Sequence, residues 1–415
     1  MTNVRLVYME TLEELLKKYQ IVKNKNYSLN MSRGKPCQEQ LDLSMEMMDV
    51  LSSNSNLSCE DGIDCRNYGV LGGIKECKKL LGDIIEVNDD NIIIFGNSSI
   101  NVMYECVTNG MLYGICGNTP WSKLKEIKWL CPVPGYDRHF AICEHLGIKM
   151  INIPLYDDGP DMDMVEEYIK DPSVKGIWCV PKYSNPTGIT YSKEVVERFA
   201  RLKPAAPDFR IYWDNAYSVH HLYDDDQDYL PEIINLCKEV GNPDLVYKFT
   251  STSKISFPGS GIAAIAASKN NIDDIMNHLK YKTIGYDKVN QLRHVRFFKD
   301  LEGVKEHMRK HASILRPKFE LVETIFEKEI KDIAKWSKPK GGYFISLEVN
   351  GIAKEVINRC KEMGVILTEA GAPFPYHYDP SNSIIRIAPS YPSLEEVRIA
   401  SEIICLSVKI ETLLK

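Results

Sequence analysis

Phe249-Thr250-Ser251-Thr252-Ser253-Lys254-Ile255-Ser256-Phe257-Pro258-Gly259-Ser260-Gly261 crowds hydroxyl side chains and two glycines around one amine, between two apolar runs. Those flanking runs, 246–249 and 262–267, read as buried strands. Upstream, 92–95, 127–131, 149–153, 176–180 and 210–213 have the same character. Amphipathic stretches such as 102–113, 161–170 and 194–201 lie between them. This βα alternation predicts an α/β fold whose large domain holds a mostly parallel sheet of about seven strands, covered on both faces. After about Val304 the pattern changes to a long helical stretch, strands over 342–347 and 384–388, and a closing helix from Leu394. That describes a smaller α+β domain. A short amphipathic helix over 11–19 opens the chain, so the division predicted is 1–50 contributing to the small domain, 51–303 as the large domain and 304–415 as the small C-terminal domain.

Bulk properties narrow the function classes. The 415 residues carry a net charge of -6 with 26% charged residues and no basic tail, which argues against nucleic acid or an anionic membrane as partner. Twelve scattered cysteines form no C-X-X-C pair, the first ten residues lack a signal sequence, and no apolar run approaches bilayer length. The expectation is a cytoplasmic protein with reduced thiols that acts on small molecules.

In parallel sheets, ligands sit at the carboxyl ends of the strands. Asn97-Ser98-Ser99, Asn185, Asp214 and Lys254 each follow closely after a predicted strand. A lysine at such a buried junction is desolvated, which favours its neutral, nucleophilic form. Asp214 ends the apolar run Ile211-Tyr212-Trp213, where a carboxylate is costly unless paired. Read blandly, it is a turn acid. Tyr217 lies three residues on, and Asn185-Pro186-Thr187-Gly188 could be an ordinary turn. Gly96-Asn97-Ser98-Ser99-Ile100 opens a helix and makes either a phosphate cup or a plain serine cap. Tyr136, in Pro134-Gly135-Tyr136, could stack on a planar ring. Taken as an ordered set, these segments point to pyridoxal 5'-phosphate, which needs a lysine for its aldehyde, an acid for its ring nitrogen, and hydroxyls and N–H groups for its phosphate.

Two other motifs are decoys. Gly259-Ser260-Gly261-Ile262-Ala263-Ala264 resembles a dinucleotide loop but leads into a strand rather than a helix. His307 and His311 have helical i, i+4 spacing but lack the glutamate of a zinc motif, so a solvated basic helix face is expected and no metal site.

With Ser32-Arg33-Gly34-Lys35-Pro36, Arg66-Asn67-Tyr68-Gly69-Val70-Leu71-Gly72-Gly73, Pro339-Lys340-Gly341-Gly342-Tyr343-Phe344 and Ile385-Arg386-Ile387-Ala388 added, the chain resembles the fold-type-I pyridoxal-phosphate enzymes of aminotransferase class I. It is most similar to a bacterial subgroup of aspartate aminotransferases. The resemblance implies that Lys254 forms the Schiff base and moves the proton, Asp214 holds the ring nitrogen, and Tyr217 and Asn185 bond the ring oxygen. It implies that Asn97, Ser98, Ser99, Ser251 and Ser253 hold the phosphate, that Tyr136 stacks on the ring, and that Arg386 clamps the substrate α-carboxylate with Arg33, Gly34 and Asn185 beside it. Tyr68 would reach the phosphate of a neighbouring subunit, which implies a homodimer with shared sites. The family's phosphate-binding arginine is missing from Pro258-Gly259-Ser260-Gly261-Ile262. For a dicarboxylate substrate, Arg33, Lys35, Arg138, Lys282 and Arg293 are candidate second cations. Aspartate:2-oxoglutarate transamination is the function implied. A β-eliminating carbon–sulfur lyase and an aminotransferase-like regulatory domain are the alternatives.

Overall fold

The computed structural model describes residues 10–415. Strand β1 (Leu29–Asn30) belongs to the small module, and an eight-stranded sheet follows. Its strands are β2 (Ile92–Ile94), β3 (Lys128–Val133), β4 (Lys149–Tyr156), β5 (Gly159–Pro160), β6 (Val174–Cys179), β7 (Arg210–Asp214), β8 (Val246–Ser251) and β9 (Ala263–Ala267), in the order β2-β9-β8-β7-β6-β3-β4-β5. All seven strands expected in this region are present, and the two-residue edge strand β5 makes the eighth. The interior pairs β3–β4, β3–β6, β6–β7 and β7–β8 run parallel, while β9 runs antiparallel to both β8 and β2.

Strands β6 to β9 are buried along their whole length. Alternate residues enter opposite layers, as the two-residue period of a strand requires. Ile211 and Trp213 join one apolar cluster and Tyr212 the other. A Cβ at Gly176 would come within 2.4 Å of the Trp129 ring, so only glycine lets that indole lie across β6.

In the small module, β10 (Ala334–Trp336), β11 (Ile345–Val349) and β13 (Ile384–Ile387) form an antiparallel sheet, and β12 (Val365–Ile366) pairs in parallel with β1. The expected strand over 342–347 starts later, at Ile345, because Gly342 turns the chain at φ +78°. Helices α1 (Leu12–Lys23), α2 (Gln38–Asp42), α3 (Ser99–Tyr113), α4 (Asp137–His145), α5 (Leu301–Glu329) and α6 (Leu394–Leu414) are the ones that bear on the site. Helix α5 crosses between layers, with Val304 and Met308 in the large-sheet core and Leu315, Phe319, Val322 and Phe326 in the small-module core.

The face of α5 that carries His307 and His311 is buried, which corrects the solvated face expected from sequence. Val304, Met308, Ala312 and Leu315 share it, while Arg309 and Lys310 point to solvent. Among the described residues, no cluster of three or more histidine, cysteine or acidic side chains could hold a metal, and no helix is long and apolar enough to cross a membrane. The dinucleotide-like loop runs into β9. All twelve cysteines are unpaired, and all but the half-buried Cys116 are buried.

Candidate active site

The last residue of β7, the turn after β8 and the first turn of α4 open on one cavity of about 540 Å³. Asp214, Tyr217, Asn185, Lys254, Tyr136, Arg386, Gly34 and Arg33 all line it.

Asp214 is buried, and its two oxygens differ. Oδ2 accepts a hydrogen bond from His139 Nε2 at 3.1 Å, whereas Oδ1 has no partner. His139 is held by stacking on Trp178, with ring centres 4.6 Å apart and planes at 15°. A buried carboxylate oxygen without a donor is expensive. An N–H donor brought by a ligand would relieve that cost, so the orphaned oxygen fits a protonated ring nitrogen.

Lys254 is half-buried at the cavity wall, less desolvated than its sequence setting suggests, and its Nζ lies 4.6 Å from the Tyr217 ring centre. Its main chain is fixed from behind. The Lys254 carbonyl accepts from Tyr343 Oη at 3.3 Å and lies 3.4 Å from His220 Nε2. Gln40 supports that tyrosine from α2. The Cys37 N–H can only donate, so Gln40 Oε1 accepts it at 3.1 Å, and Gln40 Nε2 donates to Tyr343 Oη at 3.0 Å and to His311 Nδ1 at 2.9 Å. His311 Nε2 in turn faces His307 Nε2 at 3.1 Å, and His307 Nε2 is 2.9 Å from the Ile255 carbonyl. Burial lowers the pKa of these imidazoles, to about 3 for His311 and about 4 for His294, which bonds Ser256 Oγ at 2.9 Å.

The hydroxyl cluster expected to hold a phosphate is connected. Ser253 Oγ donates to the Asn97 carbonyl at 2.6 Å, and Ser251 Oγ donates to Ser253 Oγ at 3.1 Å. Ser98 stands at the N-cap of α3 but makes no side-chain cap bond, so the plain-cap reading does not describe it, and Ser99 begins the helix.

Arg386, near the end of β13, is 7% exposed. Its Nη1 donates to Asp137 Oδ1 at 2.7 Å and to Asn185 Oδ1 at 3.3 Å, and its Nε donates to Thr368 Oγ1 at 3.2 Å. With Oδ1 of Asn185 turned to the arginine, its Nδ2 is left to donate elsewhere. Gly34 passes so close to Phe344 that a Cβ would meet the ring at 2.4 Å. Burial pushes the Tyr136 hydroxyl up to about 12, so it stays a neutral phenol.

Of the five cations considered for a second carboxylate, Arg33 and Arg138 line the cavity. The others are engaged elsewhere: Lys35 lies 3.7 Å over the Tyr391 ring, Lys282 pairs with Glu105, and Arg293 bonds Asn290 Oδ1 at 2.5 Å. Tyr68 is outside the cavity and 80% exposed. Sequence reasoning missed Asp137 and His139. The signal was present in Tyr136-Asp137-Arg138-His139, which puts an aromatic ring, an acid and an imidazole on one turn at a strand's carboxyl end.

The model of a family described as aspartate amino-transferase matches residues 6–415. An aspartate aminotransferase of Corynebacterium glutamicum is 43% identical over 394 residues, covering 94% of this chain and 91% of that protein. The crystal structure of an aspartate transaminase from the same species superposes with a TM-score of 0.93 at 42% identity, over 96% of this chain and 95% of that one. A crystal structure from Corynebacterium diphtheriae gives a TM-score of 0.94 at 44% identity, over 97% and 100% of the two chains.

Proposed function

This chain belongs to the aspartate amino-transferase family and is an aminotransferase, and from that premise we propose that it carries pyridoxal 5'-phosphate and moves the amino group of aspartate to 2-oxoglutarate in two half-reactions. The observation that carries the reading is the buried, partnerless Oδ1 of Asp214 in the same cavity as Lys254 and Arg386. When bound, the cofactor supplies an aldehyde that exchanges amines and a protonated ring that accepts the electron pair released at the substrate carbon.

The chain's own residues do the rest. Asp214, oriented by His139, keeps a proton on the ring nitrogen. Asn185 Nδ2 and Tyr217 Oη would donate to the ring oxygen, and Tyr136 would stack on the ring. Asn97, Ser98 and Ser99 at the start of α3 would bind the phosphate through hydroxyls and N–H groups, with Ser251 and Ser253, at the end of β8 and just after it, turning their hydroxyls from each other and from the Asn97 carbonyl to join them. Lys254 Nζ would hold the aldehyde and would be the group that takes and returns the proton at the substrate carbon. Arg386 takes the α-carboxylate in a two-pronged grip that lysine cannot copy. Arg33 or Arg138 takes the second carboxylate, which is what favours a dicarboxylate.

A homodimer with shared sites is part of the proposal. It is supported by exposed Tyr68, beside a segment where Gly285 packs against the Gly69 carbonyl and where Tyr281 is 85% exposed. The division into 51–303 and a small module of 1–50 with 304–415 is supported by an apolar cluster built mostly from the small module, apart from the two that flank the large sheet, although Met47, Val304 and Met308 join the large-sheet core. A cytoplasmic setting is supported by the unpaired cysteines.

The test is incubation of the purified protein with pyridoxal phosphate, aspartate and 2-oxoglutarate. Glutamate and oxaloacetate are expected. Release of pyruvate and ammonia from a cysteine conjugate, without amino transfer, would instead establish the β-eliminating lyase.

A further inference from the structure

We propose that Asp137 is a built-in occupant of the α-carboxylate site, so that every incoming substrate must displace its carboxylate from Arg386. The inference rests on the reading of Arg386 as the α-carboxylate clamp. A buried guanidinium without an anion is costly, so a clamp that is well desolvated needs something in place of substrate when none is bound. The structure provides it: Asp137 Oδ1 accepts from Arg386 Nη1 at 2.7 Å. The other two partners of the guanidinium, Asn185 Oδ1 and Thr368 Oγ1, are neutral oxygens.

The pair is asymmetric in a way that lets it open. The Arg386 side chain is 8% exposed and the Asp137 side chain 25%, so the acid rather than the base can turn to water. Asp137 is the first residue of α4, where the helix backbone favours a negative charge. It reaches Arg386 through a single nitrogen, whereas a substrate carboxylate can take two in parallel. Displacement therefore exchanges a one-point ion pair for a two-point one. The like charges compete for the guanidinium, so Asp137 weakens the binding of all α-carboxylates alike.

The alternative is that Asp137 is a prop, without which Arg386 would point wrongly. The two roles have opposite signs. Asp137→Asn removes the charge but keeps an oxygen able to accept from Arg386, so the arginine stays oriented. The probe is maleate, a four-carbon dicarboxylate that cannot transaminate, titrated calorimetrically into the cofactor-loaded protein, with cofactor absorbance and melting temperature confirming each variant's integrity. Asp137→Asn is expected to tighten maleate binding by about tenfold or more, and Arg386→Lys to weaken it. Asp137→Ser, which shortens the side chain, should shift binding in the same direction as Asp137→Asn. If Arg386→Lys weakens binding but both Asp137 variants weaken it or leave it unchanged, Asp137 is a prop and the proposal falls while the clamp stands. If Arg386→Lys leaves binding unchanged, the clamp itself is misassigned and the proposal falls with it.

Discussion

His139 Nε2 donates to Asp214 Oδ2 at 3.1 Å and leaves the other carboxylate oxygen of Asp214 buried and unpaired. One oxygen is anchored by the protein, and the other is reserved for a donor from outside it. Asp214→Asn should therefore leave the fold intact but remove the negative charge that keeps a ring nitrogen protonated. Turnover should fall by at least about a hundredfold, roughly 2.7 kcal/mol of barrier. A rate close to wild type would return Asp214 to a structural role.

Lys254→Ala removes both the amine that binds the aldehyde and the group that moves the proton. Losses of many orders of magnitude are expected when one residue does both tasks. Single-turnover absorbance with aspartate is the measurement, and normal transamination by the variant would sink the assignment.

Arg33 and Arg138 compete for the second carboxylate. Neutralising the true partner, by Arg33→Gln or Arg138→Gln, should lower kcat/KM for aspartate on the order of a hundredfold, while a monocarboxylic donor such as alanine is barely affected. Equal losses for both donors would mean that neither arginine selects dicarboxylates.

The buried imidazoles predict an acid limit to stability. Their pKa values are depressed below the ordinary 6.5, to about 4 for His294 and about 3 for His311. The unfolded chain then binds more protons than the folded one between those values. Their contribution is fully present above pH ~6.5 and is lost progressively as pH falls toward the folded values. Denaturant unfolding across this range should show stability dropping with acid, and His311→Gln should flatten the slope. An unchanged slope in the variant would mean that His311 does not titrate on unfolding.

The sequence made the large sheet legible because its strands are buried on both faces and read as continuous apolar runs. Lys254 and Asp214 stood out as polar groups at the ends of such runs. What escaped was whatever depended on distant partners. Arg386 and Asp137 are 249 positions apart, and Gln40 and His311 are 271 apart. The buried face of α5 was readable in principle, since Val304, His307, Met308, His311, Ala312 and Leu315 repeat at helical spacing. Arg309 and Lys310 disguised it, because two exposed cations sit between the buried Met308 and His311.

Eleven of the twelve cysteines are buried, and Cys116 is the half-buried one. Burial raises the pKa of Cys77, Cys106, Cys131 and Cys179, which keeps their sulfurs protonated and unreactive. A thiol label can reach them only when a segment opens, so the rate of labelling at each sulfur becomes a clock for opening at that place. These thiols run from Cys37 beside α2 to Cys405 within α6, so the native sequence already carries a dispersed set of reporters. With them, the loosening of either module could be timed without introducing a single foreign residue.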